Sequence, residues 1–387
     1  MPEFYAEPMK DRQCCFVCKK TVTGKKVLLT CVNCHAITYC GVECQRTDWP
    51  RHEWNCVPVM VTEFPGKGRG LVAARDIEKG ELIFKDKPVI KLAVDADGRP
   101  ADPLESLISL KQQIESLPAE AKLQYYKLTI RDDANFHILS RNDNEALGLF
   151  LTNCTIYKVD VMGEEKHALL HLNLALVNHS CAPNAASRSL KQKGDEDRVV
   201  ELRAIKKICK GEEITICYFD FDDLKKFGSI LRKRKAGIKK DFNFDCKCPV
   251  CLGQCQVTGQ EKILKKLIEL HNKVNLTTPP YDWKRDANIW SRIVDLSMEL
   301  KIGHPFDKIS ASEALAGFAY LARDKDLMKK AMDMLKHFAE EYKLDSIQRT
   351  FKVWEKCLED LSAEFSSNNA PEMREIEFIV KAIEDEV

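Results

Sequence analysis

The chain has 387 residues, more than one hydrophobic core usually organises, so two or three domains are expected. Its 60 basic and 59 acidic side chains leave a formal charge of +1, which excludes an overall electrostatic preference for nucleic acid or anionic membranes. No apolar run approaches the roughly 20 residues of a membrane-spanning helix, and the first residues do not resemble an export signal. We therefore expect a soluble intracellular protein, located in cytoplasm and nucleus.

The 17 cysteines are distributed unevenly, with eight in residues 14–56 and four in residues 246–255. In a small secreted domain such a count would indicate disulfides. Without an export signal it favours metal thiolates in a reducing compartment.

Residues 1–57 are rich in cysteine and poor in aliphatic periodicity, as expected where metal replaces a hydrophobic core. Seven cysteines and one histidine occur in short-spaced pairs, and each pair can supply half of a tetrahedral site. We assign one zinc ion to Cys15, Cys18, Cys40 and Cys44. We assign a second to Cys31, Cys34, His52 and Cys56, which leaves Cys14 as a spare thiol.

Short β-type runs follow at 70–73 and 81–84, and the glycines around them predict sheet hairpins. Residues 104–150 change to helical spacing, which Pro118 interrupts, and this predicts a helical insertion. Strand-like runs return at 149–151, 168–170, 199–202 and 214–218. Many short strands with few helices predict a folded β core.

Three motifs lie in and after this β-rich region. The first is Asn178-His179-Ser180-Cys181, and the second is the run at 211–218 that ends in Tyr218. The third is a Cys-x-Cys-x-x-Cys run at 246–251, which offers three thiolates. A tetrahedral structural zinc needs four ligands, so a fourth must come from elsewhere, and Cys181 and Cys255 are the candidates.

Between Leu224 and Lys240 the chain carries eight lysine or arginine side chains and no acidic ones. A solvated helix face is the ordinary explanation for such a run. A nuclear-import signal or a nucleic-acid patch is the alternative, but aromatic residues are poorly interleaved and the whole chain is nearly neutral. Direct nucleic-acid binding is therefore not expected.

After Cys255 the spacing is helical to the end of the chain. Ser310 and Glu313 have the spacing of a capping box, which predicts a helix start. A stripe at helical spacing is formed by Met373, Ile376, Val380 and Ile383. These patterns predict a separate α-helical module.

These motifs together resemble two known domains. The glycine turn at 67–70, the Asn178-His179 pair, Tyr218 and the closing cysteine run resemble the SET-domain lysine methyltransferases, over roughly residues 60–255. The cysteine pairs, with Tyr39-Cys40 and the run at 49–52, are similar to the MYND zinc finger. Because the finger precedes the glycine turn, the order resembles the finger-first branch of the SET and MYND domain family.

The resemblance implies an α+β fold: a β-rich SET fold with an N-terminal MYND finger, a helical insertion, a cysteine-rich post-SET segment and a C-terminal α-helical domain. The expected domains are a MYND double-zinc finger at 1–57, the N-terminal part of SET at 58–103, the helical insertion at 104–148, the C-terminal part of SET at 149–245, the post-SET zinc segment at 246–255, and the α-helical domain at 256–387.

The resemblance also implies a reaction. In SET enzymes a neutral lysine amine attacks the sulfonium-bound methyl group of S-adenosylmethionine in an in-line displacement, so geometry and exclusion of water matter most. Tyr218 matches the catalytic tyrosine. The positions that match cofactor-binding residues are Lys67, Gly68, Arg69, Gly70, Asn178, His179, Tyr218 and Phe244. The family pattern favours Cys181 over Cys255 as fourth ligand of a third zinc, beside Cys246, Cys248 and Cys251.

The expected function is thus a protein-lysine methyltransferase with S-adenosylmethionine and three zinc ions. The expected substrate is a histone or non-histone lysine. Two roles stay open for the finger: capture of a proline-rich peptide, as in some members of the family, and simple stiffening of the enzyme. Singly, Tyr218, His179 and Phe244 could be ordinary core residues; their joint occurrence in this order favours a site. Phe242 departs from the family, which usually has tyrosine there, and this keeps open a non-catalytic scaffold that recruits partners such as transcriptional corepressors. A zinc hydrolase is not expected, because each ion has four protein ligands.

Overall fold

The computed structural model describes residues 14–21, 28–34, 37–52, 56–95, 102–130, 141–158, 166–191, 198–219, 231–254, 259–274, 281–301 and 307–363. The chain forms two compact units, and each unit is built from several separate stretches of the sequence. The first takes the described parts of 1–157, 166–178 and 200–215. The second takes those of 158–165, 179–199 and 216–387.

The first unit begins with a small finger. Strands β1 (Leu29–Thr30) and β2 (Thr38–Tyr39) pair antiparallel, and helix α1 (Val42–His52) follows. Among its described residues, the buried members of its core are Cys15, Cys31, Cys34 and Tyr39. Such a core buries too little apolar surface to fold alone, which fits the expectation that metal organises it.

A hairpin carries the glycine turn. Strands β3 (Val59–Phe64) and β4 (Gly68–Ala73) pair from Val59↔Ala73 to Phe64↔Gly68. The turn needs left-handed backbone, which Gly66 and Gly68 supply with φ of +72° and +74°. Strand β12 (Glu213–Ile216) pairs with the other edge of β4, Glu213 opposite Val72, so the turn and β12 belong to one sheet.

The insertion packs helices on a second sheet. Strands β6 (Ile90–Val94) and β8 (Lys166–Leu170) pair antiparallel, and β7 (Thr155–Lys158) extends the sheet beyond β8. Helices α2 (Pro103–Ser116), α3 (Ala119–Tyr126) and α4 (Arg141–Asn153) share one apolar core with it. The break expected at Pro118 is observed, since this residue separates α2 from α3.

The strand predicted at 149–151 is wrong. These residues lie in α4, and Leu149 and Phe150 are buried in the core of the insertion. A short apolar run that is buried has the same composition in a helix as in a strand, so periodicity could not separate the two.

Asp86 connects strand β5 (Leu82–Asp86) to the segment that leads into Asn178. One carboxylate oxygen accepts from the backbone N–H groups of Asn173, at 2.8 Å, and Leu174, at 3.0 Å. The other accepts from the Asn173 amide at 3.0 Å. These bonds start the 3-10 turn Leu174–Leu176, which precedes strand β9 (Asn178–His179). The same β5 pairs with β11 (Arg198–Ala204), so Asp86 holds the turn from a fixed strand.

The carboxyl of Asp86 predicts a pH dependence of stability. Burial raises its pKa to about 6, although the three hydrogen bonds favour the ionised form. Because this folded-state pKa is above the unfolded one, its stabilising contribution is present at low pH and is lost as pH rises from about 4 through 6. Relative to Asp86→Asn, the wild type should lose on the order of 3 kcal/mol of unfolding free energy over this window.

Urea unfolding of both proteins at several pH values measures this difference, and comparing two variants cancels the acid sensitivity of the metal clusters. Asp76→Asn is the matched control, because Asp76 is an exposed aspartate that accepts from the Lys210 N–H at 2.9 Å. A difference between wild type and Asp86→Asn that stays constant from pH 4 to 7 would contradict the assignment.

The second unit is mainly helical. It contains strand β10 (Ala185–Lys191), then α5 (Leu231–Phe242), α6 (Gln260–His271), α7 (Trp283–Glu299), α8 (Asp307–Leu321), α9 (Lys325–Tyr342) and α10 (Asp345–Ala363). From α6 onward, helices that follow one another in the chain pack against each other. Asp282 and Asp324 cap α7 and α9 by accepting from backbone N–H groups three residues later.

Two expectations for this unit are corrected. Ser310 does not cap a helix, because α8 already includes residues from Asp307 onward. The basic run does not form an entirely solvated face, because Arg234 is only 1% exposed on the same side of α5 as the buried Ile238. The stripe at 373–383 lies outside the described residues. Within those residues, no helix combines the length and the apolar character needed to cross a membrane.

Candidate functional site

Among the residues that the structure describes, cysteine and histidine side chains converge in three clusters of four. In each, the four ligand atoms lie within 4.8 Å of one another; the clusters are Cys15, Cys18, Cys40 and Cys44, then Cys31, Cys34, His52 and Cys56, then Cys181, Cys246, Cys248 and Cys251. Tetrahedral zinc with bonds of about 2.3 Å places its sulfur ligands about 3.8 Å apart, close to these separations. The three clusters can therefore each hold one zinc ion.

The finger clusters have the spacing of ligands and not of disulfides. Sulfur–sulfur distances are 3.5 Å for Cys18 to Cys40, for Cys40 to Cys44 and for Cys31 to Cys56. A disulfide bond would be about 2.05 Å. His52 presents Nε2 to Cys34 Sγ at 3.6 Å, so the histidine belongs to the second cluster as its spacing predicts.

An asparagine that the cysteine spacing does not predict supports the second finger cluster. Asn33 Nδ2 donates to Cys56 Sγ at 3.3 Å and to the Cys56 carbonyl at 2.6 Å. Arg75, just after β4, donates in turn to Asn33 Oδ1 at 2.6 Å and to its carbonyl at 3.1 Å. Outer hydrogen bonds of this kind orient ligands, so Asn33 and Arg75 tie the cluster to the β4 sheet.

The third cluster closes the chain over a long loop. Cys181 Sγ lies 3.6 Å from Cys251 Sγ, and all four thiols are at most 6% exposed. They interact so strongly that hydrogen bonding with Cys246 raises the pKa of Cys181, while hydrogen bonding with Cys181 holds the pKa of Cys246 well below its ordinary value. Four buried thiols that stabilise a thiolate among themselves in this way are suited to bind a cation. Cys255, the other candidate, lies outside the described residues.

His179 links this cluster to Tyr218. Its Nδ1 accepts the backbone N–H of Tyr218 at 3.1 Å, and a backbone N–H can only donate, so the proton of the neutral ring is on Nε2. Nε2 lies 3.4 Å from Cys181 Sγ, toward which that proton points. Both ring nitrogens of His179 are therefore held by protein groups.

Aromatic rings gather around Tyr218. Ring centroids are 5.7 Å apart for Tyr218 and Phe242, 6.3 Å for Tyr218 and Phe244, and 5.8 Å for His179 and Phe244. Tyr218 itself is 37% exposed, so it is not an ordinary core tyrosine. The Tyr218 side chain thus packs among aromatic rings while remaining partly exposed.

The glycine turn and Asn178 form a group of their own in the first unit. Asn178 Nδ2 donates to the Arg69 carbonyl at 3.3 Å and to Glu213 Oε1 at 3.0 Å, and Lys67 Nζ lies 2.6 Å from Glu213 Oε2. Sequence spacing assigned no role to Glu213, although it belongs to the run that ends in Tyr218. Its carboxylate joins the turn to Asn178.

Comparison with known families decides what these groups belong to. The SET domain model matches residues 68–219, and the MYND finger model matches residues 15–56. The chain therefore contains a SET domain and a MYND finger. Its MYND finger is N-terminal to the SET domain, as the finger-first order predicted.

Relatives of this SET and MYND protein cover much of the chain. Histone-lysine N-methyltransferase SMYD3 of Mus musculus is 25% identical over 295 residues, covering 72% of this chain and 62% of that protein. N-lysine methyltransferase SMYD2-A of Danio rerio is 28% identical over 275 residues, covering 66% and 53%. Histone-lysine N-methyltransferase SMYD1 of Homo sapiens is 25% identical over 324 residues, covering 76% and 60%. The chain thus spans 53 to 62% of these relatives' lengths.

Solved structures also match part of the chain. The Neurospora SET domain protein DIM-5, a histone lysine methyltransferase, is 18% identical, with a TM-score of 0.23 over 45% of this chain and 58% of that chain. The methyltransferase domain of human Histone-lysine N-methyltransferase SETMAR is 16% identical, with a TM-score of 0.25 over 42% and 44%.

The site residues predicted from the sequence divide between two groups. The first unit brings together the turn at 67–70 and Asn178. The second unit brings together His179, Tyr218 and Phe244, with Phe242 beside them. The MYND finger indicates protein interaction, and the SET domain belongs to a family that uses S-adenosylmethionine on protein lysines.

Proposed function

We propose that the protein is an S-adenosylmethionine-dependent protein-lysine N-methyltransferase that acts on a histone or non-histone substrate. The observation that carries the proposal is the partly exposed Tyr218 side chain among aromatic rings, two residues after strand β12 and within the segment that the SET domain model matches. The relatives that it matches are named as lysine methyltransferases.

Tyr218 would act at the reacting centre. When bound, the donor would supply a sulfonium-bound methyl group, which the lysine amine would accept by forming a C–N bond as the S–C bond breaks and S-adenosylhomocysteine is released. The amine must first lose its proton, because the pKa of a free lysine is about 10.4. The rings of Tyr218 and Phe242 would line the lysine stem and exclude water, and the Tyr218 hydroxyl would orient the amine.

The remaining assignments follow the resemblance. Phe244 would stack on the adenine, and such ring pairs contribute on the order of 1 kcal/mol beyond burial. The other donor-binding residues would be Lys67, Gly68, Arg69, Gly70, Asn178 and His179. Because both His179 nitrogens are engaged, its contact with a donor would be through the main chain.

Three structural zinc ions would occupy the clusters, two in the finger and one in the cluster that contains Cys181. Each would have four protein ligands and no open position for a water molecule, so a zinc hydrolase is not supported. The finger would bind a partner peptide, and a proline-rich one is the proposal, in keeping with its exposed Val32 and Trp49, 80% and 40% exposed. The proposed location is cytoplasm and nucleus.

Donor binding tests the proposal against the scaffold alternative that Phe242 keeps open. Isothermal calorimetry should show one S-adenosylmethionine bound per chain, and the unfolding temperature should rise with donor concentration. Mass spectrometry should then detect 14-Da additions on lysine in a histone mixture. A full-length, zinc-loaded protein that binds no donor would contradict the proposal and leave the scaffold, which peptide capture by the finger would support.

A further inference from the structure

Glu213 occupies the first position of β12, where its carboxylate joins two residues of the proposed donor site. Oε2 pairs with Lys67 Nζ at 2.6 Å, and Oε1 accepts from Asn178 Nδ2 at 3.0 Å. The Glu213 side chain is only 17% exposed, so these bonds are partly shielded from water. The carboxylate is therefore held at both oxygens.

The groups next to the Asn178 side chain determine whether its Nδ2 or its Oδ1 faces them. The Arg69 carbonyl, at 3.3 Å, and Glu213 Oε1 are both acceptors. Only the NH2 end of an amide can donate to two acceptors at once. The orientation of Asn178 is thus set by chemistry, and its oxygen Oδ1 is the end that does not face these two acceptors.

Gly70 provides the space for this arrangement. A Cβ atom there would lie 2.5 Å from Asn178 Nδ2 and 2.7 Å from Phe64 Cε2, both too close for a real side chain. The need for glycine at 70 comes from this close approach, whereas Gly68 is required by its backbone φ of +74°. The hairpin is therefore shaped around the Asn178 amide.

We propose that Glu213 is a positioning residue, which turns Asn178 so that Oδ1 accepts a hydrogen bond from the α-ammonium group of the donor. This inference rests on the proposed function. A carboxylate suits the role because it accepts at both ends, from Lys67 and from Asn178. Glu213 acts through Asn178 and need not touch the donor itself.

Glu213→Gln tests the inference because glutamine has nearly the same shape but only one acceptor. Lys67 can only donate, so the glutamine oxygen turns to Lys67 and its NH2 group faces Asn178. Asn178 must then reverse its amide and present NH2 to the ammonium. Loss of one charge-assisted hydrogen bond should raise the dissociation constant about 10- to 100-fold.

The probes are S-adenosylhomocysteine, which has the amino-acid portion, and methylthioadenosine, which lacks it. Calorimetry on the full zinc-loaded chain should show that Glu213→Gln raises the dissociation constant of S-adenosylhomocysteine about 10- to 100-fold. The dissociation constant of methylthioadenosine should change less than about threefold. Glu212→Gln is the matched control, because Glu212 lies next in the chain and accepts from the Cys209 N–H. It should bind both probes as the wild type does.

A Lys67→Met background separates two explanations of the Glu213→Gln effect: a changed orientation of the Asn178 amide and a change in packing alone. Without the lysine, glutamine at 213 is free to turn its oxygen toward Asn178, so Glu213→Gln should then cost less than threefold. An equal loss of affinity in both backgrounds, or an equal loss of affinity for both probes, would overturn the inference.

If Glu213→Gln does not fold, Glu213→Asp replaces it. This variant keeps the charge but withdraws the carboxylate, and it should weaken the binding of S-adenosylhomocysteine only.

The two proposals fail in different ways. A wild type that binds neither probe overturns the proposed function and the role of Glu213 together. A wild type that binds S-adenosylhomocysteine, with Glu213→Gln binding it equally well, overturns the role of Glu213 alone.

Discussion

Tyr218→Phe should lower the rate constant of methyl transfer by about 100-fold or more, a loss typical of removing one hydrogen-bond donor from a reacting centre. The fold should be unaffected. The phenylalanine ring keeps the contacts with Phe242 and Phe244, and the bond to His179 Nδ1 comes from the backbone N–H of residue 218. Single-turnover assays with a bound lysine peptide measure the rate, and calorimetry should give an unchanged donor affinity.

Tyr281→Phe is the matched control. Tyr281 is 36% exposed, close to the exposure of Tyr218, and its ring stacks on Trp283 with centroids 4.6 Å apart. It should lose no activity. A Tyr218→Phe variant that keeps half or more of the wild-type rate would remove Tyr218 from the reacting centre, and a variant with reduced zinc content would show a structural role instead.

The metal clusters were the most predictable part of the site, because ligand pairs two to four residues apart stay together whatever the rest of the chain does. The structure places Cys15 in one cluster with Cys40, and Cys31 in another cluster with His52, as predicted. Partners such as Asn33 and Arg75 were not predictable. They are ordinary residue types, 42 positions apart, brought together by folding alone.

The β4 hairpin and the strands at 168–170 and 199–202 were also predicted from local pattern. The errors arose where burial, and not periodicity, sets the structure. Leu149 and Phe150 are helical because α4 packs on the insertion core. Arg234 looked like a solvated residue in a basic run, yet its long side chain is buried on the Ile238 side of α5. Composition cannot distinguish these cases.

Glu213 shows a different limit of sequence reasoning. Its run was noticed, but its role depends on the direction of one amide, which is fixed by Arg69 and Lys67 more than 140 residues earlier. Contacts of such separation follow from the pairing of β12 with β4. The sequence could suggest the strand but not its neighbour.

Cys181→Ser should reduce bound zinc from three ions per chain to two. Serine is a poor zinc ligand, so the loss of affinity should exceed the 10- to 100-fold that outer hydrogen bonds cost. The effect should extend beyond the metal, because the cluster is packed with Ile238 of α5 and Leu264 of α6 in one core. A structural zinc contributes on the order of 10 kcal/mol to folding, so these helices should exchange amide hydrogens much faster.

The rival ligand provides the sharpest comparison for this experiment. Cys255→Ser should keep three zinc ions if Cys181 completes the cluster, and exposed Cys209→Ser controls for the loss of a thiol. Metal analysis after gel filtration, with hydrogen exchange of α5 and α6, measures both effects. If Cys181→Ser keeps three ions and Cys255→Ser loses one, the fourth ligand is Cys255. The link from Cys181 through His179 to the backbone of Tyr218 would then no longer connect a metal to the reacting residue.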